Sequence, residues 1–341
     1  MRIREALGKR LARRARPGVE AMEARIAMAT FSVTFVQDND NQGSLRYAIK
    51  QANMTPELDT IRIAENLRGQ TIALASALDK IQFPVLIQVD GDAGGQKVGL
   101  DGTSLPATPS ADGLVVNSSG SNSVIMGLAV HGFSGNGIVV NGASNVTIQG
   151  NYLGLNVAGQ PASPNGAAGI RVVDSSGASI GGATETQRNV IAGNRGTGIV
   201  VTETKAPTRN NGAKIEGNYI GTDVSGNRTN LSFGNGGDGI LLQTSNNVVG
   251  GGGTNVLNII ANNQGVGVRV QSINARGAVG NAILTNSIAS NLGANGVGIL
   301  LDATPDSVPV NAPPANGGIA APRLSSVYTA SGVTYVEGSI N

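Results

Sequence analysis

Between Gly113 and Leu301 one short phrase recurs seven times, a glycine followed by aliphatic residues at the next and third positions. The copies begin at Gly113, Gly137, Gly169, Gly198, Gly239, Gly267 and Gly298, in steps of 24, 32, 29, 41, 28 and 31 residues. A unit this short cannot bury an apolar face by itself, so a repeat of this period must stack on its neighbours as a solenoid.

The phase of the phrase gives the facing of each residue, because strand side chains alternate with a period of two. The first position is always aliphatic (Leu114, Ile138, Ile170, Ile199, Ile240, Val268, Ile299) and so is the third (Val116, Val140, Val172, Val201, Leu242, Val270, Leu301), so both point inward. The fourth position (Asn117, Asn141, Val173, Thr202, Gln243, Gln271, Asp302) is mostly polar and is expected in solvent. The glycine marks a corner that needs either φ > 0 or close backbone approach. A second strand follows in most repeats, as in Asn145 to Ile148, Ala213 to Glu216 and Asn281 to Leu284. Gly150-Asn151-Tyr152-Leu153-Gly154 returns as Gly217-Asn218-Tyr219-Ile220-Gly221, 67 residues later, so a longer unit of two or more coils is duplicated. Asparagine suits the bends because it tolerates the left-handed region and can stack on its copy one coil away. Strands with short Gly/Asn/Ser corners and about thirty residues per turn predict an all-β chain, a right-handed parallel β-helix. The 50 glycines argue against helical repeats, since each costs roughly 1 kcal/mol in a helix relative to alanine.

Composition excludes several function classes. There is no cysteine, hence no disulfide framework and no thiolate metal site. No apolar run approaches the roughly 20 residues of a membrane-spanning helix. The net charge of +2 hides an asymmetry: residues 1–25 carry eight basic and three acidic side chains, a net of +5, which leaves 16 basic and 19 acidic side chains, a net of −3, for the rest. The basicity belongs to a leader, so the body is not expected to bind nucleic acid. Residues 1–29 are expected to be a disordered export segment, residues 30–308 the β-helix, and residues 309–341 a linker followed by C-terminal strands that resemble the start of a β-sandwich.

Arg16-Pro17-Gly18-Val19-Glu20-Ala21-Met22-Glu23-Ala24-Arg25 resembles the R-P-x-x-E-x-x-E-x-R leader of planctomycete surface and secreted proteins. Gly43-Ser44-Leu45-Arg46-Tyr47-Ala48-Ile49 is similar to the S-L-R-x-A-I opening of bacterial β-helix proteins of the pectin-lyase-like fold. It lacks the Cys that precedes the motif in the commonest form and has Tyr47 where that form has Glu. The resemblance implies architecture and export to the cell surface or beyond, and no reaction. The residues agree on local structure: Ser44 is a suitable N-cap, and Leu45, Ala48, Ile49 and Ala52 share one helical face that would cover the first coil. Arg323 to Tyr328 and Gly332 to Gly338 read as a hairpin.

Function must be sought in sites, since one fold carries many activities. Five residues after their glycines, Asp174 and Glu203 stand one coil apart, about 4.8 Å in backbone terms, where two carboxylates could share a proton, hold Ca²⁺ or act as an acid/base pair. Arg171, Arg188, Arg195 and Lys205 nearby are candidates to neutralise them or to hold an acidic sugar. The alternative is two exposed turn residues. His131, the sole histidine, reads as a bend residue. Asp38-Asn39-Asp40-Asn41-Gln42-Gly43 begins like a calcium loop, D-x-D-x-x-G, but its twelfth position is Ile49 instead of Glu, which leaves Asp38 and Asp40 as a weak Ca²⁺ turn or simply a polar loop. Tyr152 and Tyr219 read as structural repeats. The outward second position (Val115, Val139, Arg171, Val200, Leu241, Arg269, Leu300) is more apolar than a solvated face requires, so the inserts Ala158 to Ala168 and Lys205 to Asn211, or a partner, are expected to cover it. The sequence points to a structural or adhesive β-helix with no resident cofactor, whose partner is a polysaccharide or a cell-surface protein. The alternatives are a polysaccharide lyase or glycosidase built on Asp174, Arg171 and Glu203, and a carbohydrate-binding module without chemistry.

Overall fold

The computed structural model describes residues 28–91, 95–161, 163–204, 212–253, 255–273, 278–302, 323–330 and 333–339. Residues 1–27 of the basic leader, the whole 309–322 linker and the Lys205 to Asn211 insert lie outside the described residues.

From Val85 on, each coil contributes a strand to each of three parallel sheets, of nine, eight and seven strands, here called A, B and C, while the coils before it supply strands to sheets A and B alone. Every pairing within them is parallel, and successive coils match residue for residue: Ile138, Ile170, Ile199, Ile240 and Val268 are partners along sheet C. Parallel strands joined by crossovers wind right-handed, and the chain is a right-handed parallel β-helix. The glycine phrase writes the strands of sheet C. The second strand of each repeat belongs to sheet A, and the strands around Tyr152, Val190, Tyr219 and Ile259 form sheet B, so a coil has three strands.

The inward positions are closed: Ile138, Ile170, Ile199, Ile240 and Val268 are fully buried, as are Ile148, Ile180 and Ile215 of sheet A and Leu153, Ile191, Ile220 and Ile260 of sheet B. Burying an aliphatic side chain of this kind contributes roughly 1.5–3 kcal/mol. The last rung has no described neighbour above it, and Ile299 there is 42% exposed. Two outward fourth positions, Val173 and Thr202, are buried instead of solvated, on the rungs where the Asp174 carboxylate holds Thr204.

None of the phrase glycines has a positive φ. Their reason is crowding. A Cβ on Gly113, Gly198, Gly239 or Gly267 would lie 2.3–2.6 Å from the carbonyl oxygen of the glycine on the next rung. Asparagines fill two buried corner ladders. Asn151, Asn189, Asn218, Asn258 and Asn286 pass amide hydrogen bonds from rung to rung between sheets A and B. Asn165, Asn194, Asn235, Asn263 and Asn291 do the same between sheets B and C.

The helix Leu45–Ala52 caps the first coil with Leu45, Ala48, Ile49 and Ala52 buried, and the Ser44 hydroxyl accepts from the Tyr47 N–H at 3.0 Å. Arg323–Ala330 and Val333–Ser339 pair as an antiparallel hairpin.

Candidate functional site

The outer face of sheet C carries the residues singled out by phase. Arg171 lies on the strand Ile170–Val173, opposite Val139 on one side and Val200 on the other, half-buried and with no hydrogen bond or ion pair among the described residues. Asp174 follows that strand with φ 49°. Pairing of Val173 with Thr202 sets Asp174 and Glu203 one rung apart, as the spacing predicts. The Asp174 carboxylate reaches past Glu203 to Thr204, taking its N–H at 2.7 Å on Oδ1 and its hydroxyl at 2.5 Å on Oδ2. This is the bonding of a turn bracket: both oxygens serve as acceptors to the next rung. Higher on the same face Arg269 joins Asp238 at 2.7 Å and Asp302 at 2.8 Å, and these hydrogen bonds raise its pKa further above the usual arginine range. The outward stripe is thus part apolar and part ion-paired.

The Ala158 to Ala168 insert does not lie over sheet C as expected. It turns onto the outer face of sheet B, where a Cβ on Gly159 would lie 3.8 Å from the Tyr152 ring, and Gly132 donates to the Ser163 carbonyl. The reason is connectivity, because the insert leaves directly from the sheet B strand Tyr152–Leu153. A related insert leaves Tyr219–Ile220. Asn156 and Asp223, 67 residues apart, each accept two backbone N–H groups from their own loop, with Asp223 also held by Ser225. Slight burial pushes the Asp223 carboxyl up, but these donors outweigh it and hold it below the usual carboxylate range. Leu155, Val190, Ala192 and Phe233 pack beneath the inserts against Tyr152 and Tyr219 as a second apolar cluster.

Each of the two repeated tyrosines carries a cation over its ring. Lys97 Nζ lies 5.3 Å from the centroid of Tyr152, and the Arg188 guanidinium 4.2 Å from that of Tyr219. Lys97 is buried, at 4% exposure, and burial raises the Tyr152 pKa. Arg188 by contrast borders a cleft of about 430 Å³. On the same sheet His131 stands opposite Asp101 at the end of the strand Leu128–His131, with Nδ1 3.7 Å from Asp101 Oδ1 and without a hydrogen-bond partner among the described residues. His131 is a buried strand residue and not the bend residue expected from the sequence. Burial pushes its pKa down, with Asp101 opposing, so the imidazole is neutral near neutral pH.

The Asp38 to Gly43 loop is built around cations of the chain itself. Arg46 grips Asp38 with two hydrogen bonds of 2.8 Å and donates to the Ala77 and Ser76 carbonyls, while Lys50 meets Asp40 at 2.5 Å. Burial pushes the Asp38 carboxyl up, but Arg46 and the Ala75 N–H outweigh it and hold it below the usual carboxylate range. The two carboxylates face different basic side chains and do not fit a shared Ca²⁺. Among the described residues no group of three or more His, Cys, Asp or Glu converges on a metal-sized space.

No family model matches the sequence, and no curated protein matches it. Solved structures share the winding. A pectate lyase, Pel9A, is 15% identical with a TM-score of 0.33, over 84% of this chain and 78% of its own. An alginate lyase from a Paenibacillus species is 13% identical with a TM-score of 0.30, over 80% of this chain and 97% of its own. The Dettilon tailspike protein is 13% identical with a TM-score of 0.27, over 85% of this chain and 71% of its own. At these values the likeness is one of fold alone, and the fold stands on the strand pairing described above.

Proposed function

We propose that the chain is an exported, non-catalytic β-helix scaffold at the cell surface or outside it, whose outward sheet faces meet a polysaccharide or a cell-surface protein. The observation that carries this reading is the engagement of four acids of the coils: Asp174 brackets Thr204, Asp238 and Asp302 flank Arg269, and Glu216 meets Lys214 at 2.9 Å. A general acid or nucleophile must be free to exchange its proton or attack in the course of a reaction, and these carboxylates are used as structural acceptors. The leader resemblance supports export. The net of −3 outside the leader speaks against nucleic acid as the partner.

The rival is a polysaccharide lyase or glycosidase using Asp174, Glu203 and Arg171, and it draws on one observation: Arg171, with no hydrogen bond or ion pair among the described residues, lies on the rung of Asp174 and one rung from Glu203. The test is depolymerisation of a panel of acidic polysaccharides by the purified protein, followed by reducing-end assay. The scaffold reading expects no new ends. Turnover that disappears in Asp174→Asn or Glu203→Gln would overturn it in favour of the rival.

A further inference from the structure

We infer that the cleft beside Tyr219 is a binding site for a carboxylate-bearing sugar, with the Arg188 guanidinium as the group that recognises the carboxylate. The scaffold reading does not require a ligand here, so this goes beyond it.

The cleft is formed by Thr184, Glu185, Arg188, Tyr219, Leu257 and Ile259, and its volume of about 430 Å³ lies within the roughly 300–1,000 Å³ of small-molecule sites. Arg188 is held in one orientation. Its guanidinium lies over Tyr219, and its Nε donates to the Gly217 carbonyl at 3.3 Å. Nη1 stands 3.9 Å from Glu185, beyond hydrogen-bond length, and Nη2 makes no hydrogen bond among the described residues. A planar fork, fixed by an aromatic face and one backbone acceptor and with its outer edge unused, matches the two oxygens of a carboxylate. Glu185 is the only acid among the described residues of the cleft wall, and its side chain is 90% exposed. Such an ion pair contributes about 0–1 kcal/mol, so an incoming carboxylate displaces it at little cost.

The duplication supplies an internal comparison. At the equivalent tyrosine, Tyr152, the cation is Lys97, a point charge that is buried. Both tyrosines are half-buried, but the cation is buried in one copy and borders a cleft in the other, and that second copy carries the planar cation. The rest of the cleft favours a sugar over a peptide. An extended peptide gains most by adding to a free strand edge, but Val190–Ile191, Tyr219–Ile220 and Ile259–Ala261 are already paired on successive rungs. The rest of the lining is an aliphatic wall, Leu257, Ile259 and Ala183, for the apolar face of a ring, with Asn255 and Thr184 as polar side chains beside it.

The experiment is calorimetric titration of the full chain with a glucuronic-acid trisaccharide, the matching glucose trisaccharide, inorganic phosphate and a polyglutamate peptide. The acidic trisaccharide is expected to bind saturably and the neutral one at least about tenfold more weakly. Arg188→Lys, which keeps the charge and loses the fork, should weaken binding about tenfold, whereas Glu185→Gln should strengthen it severalfold. Glu185 is exposed, so its variant keeps the fold and its sign alone can decide if Arg188→Lys proves unstable. The inference is overturned by absence of saturable binding, by equal binding of the neutral sugar, by tighter binding of phosphate or polyglutamate, or by Glu185→Gln leaving the affinity unchanged. Shortened trisaccharide in the cell would count against the scaffold reading and leave the binding site standing.

Discussion

Replacing Asn218 by alanine removes the middle of a buried ladder, and the cost follows from the bonds it breaks. Its amide donates to the carbonyls of Ile180 and Glu216 at 2.9 Å and to Asn258 Oδ1 at 3.0 Å, while its own Oδ1 accepts from Asn189 N–H at 3.3 Å and from Asn189 Nδ2 at 3.0 Å. Three of the partners keep another bond: Asn258 Oδ1 still accepts from the residue 218 N–H, Asn189 Nδ2 still reaches the Ile148 carbonyl, and the Glu216 carbonyl still accepts from the Gly182 N–H. The Asn189 N–H loses its bond without replacement, in a corner where Asn189 and Asn218 have no exposure, whereas Ile180 keeps its place in the sheet A ladder opposite Ile215. A stranded buried group costs about 1–3 kcal/mol, so Asn218→Ala should lose at least about 1–3 kcal/mol. Asn227→Ala is the control: its Oδ1 accepts from Thr229 on an exposed loop, where water replaces the bond, and it should change stability by at most about 0.5 kcal/mol. Urea unfolding followed by far-UV circular dichroism gives both values. Equal losses in the two variants would refute the ladder as a stabilising element.

Three other outcomes are expected. Gly239→Ala places a Cβ 2.6 Å from both the Gly267 oxygen and an Ile260 methyl, and should cost at least about 1–3 kcal/mol, whereas Gly252→Ala meets nothing within 4 Å and should be neutral by thermal unfolding. Arg46→Ala leaves Asp38, whose side chain is 4% exposed, without its guanidinium and should cost about 3–5 kcal/mol. Because the folded Asp38 pKa is depressed, the wild-type pair contributes in full above the unfolded value of about 3.9 and is lost as pH falls through the lower folded value, so in acid urea titrations the gap between wild type and variant should narrow. His131 is likewise depressed: below about pH 6.5 the unfolded chain takes a proton that the buried imidazole refuses, so stability should fall on acidification and fall less in His131→Gln. Identical slopes in the two proteins would refute the burial argument.

The core was legible because alternation in a parallel stack is a property of single positions: Ile138 and Val140 declare the same facing as Ile170 and Val172, and the register follows. The reason for the glycines was legible only in part, since close approach and positive φ both select glycine, and only the rung above Gly239 distinguishes them. The S-L-R motif announced a helix cap, but the partner of its arginine, Asp38, lies in a loop with no period. The Arg188 and Tyr219 stack was missed although a signal existed. Arg188 immediately precedes Asn189, and Tyr219 immediately follows Asn218, so treating the asparagines as successive rungs brings the two side chains to adjacent coils. The direction of the Ala158 to Ala168 insert was not legible, because sheet B was not recognised as a separate face.

The central claim is that the outward faces bind without chemistry. The most direct measurement is to saturate the purified protein with an acidic polysaccharide, recover the polymer and compare its chain length with that of an untreated sample. The account predicts saturable binding and unchanged chain length. Shortened chains, with the activity lost in Asp174→Asn, would contradict it.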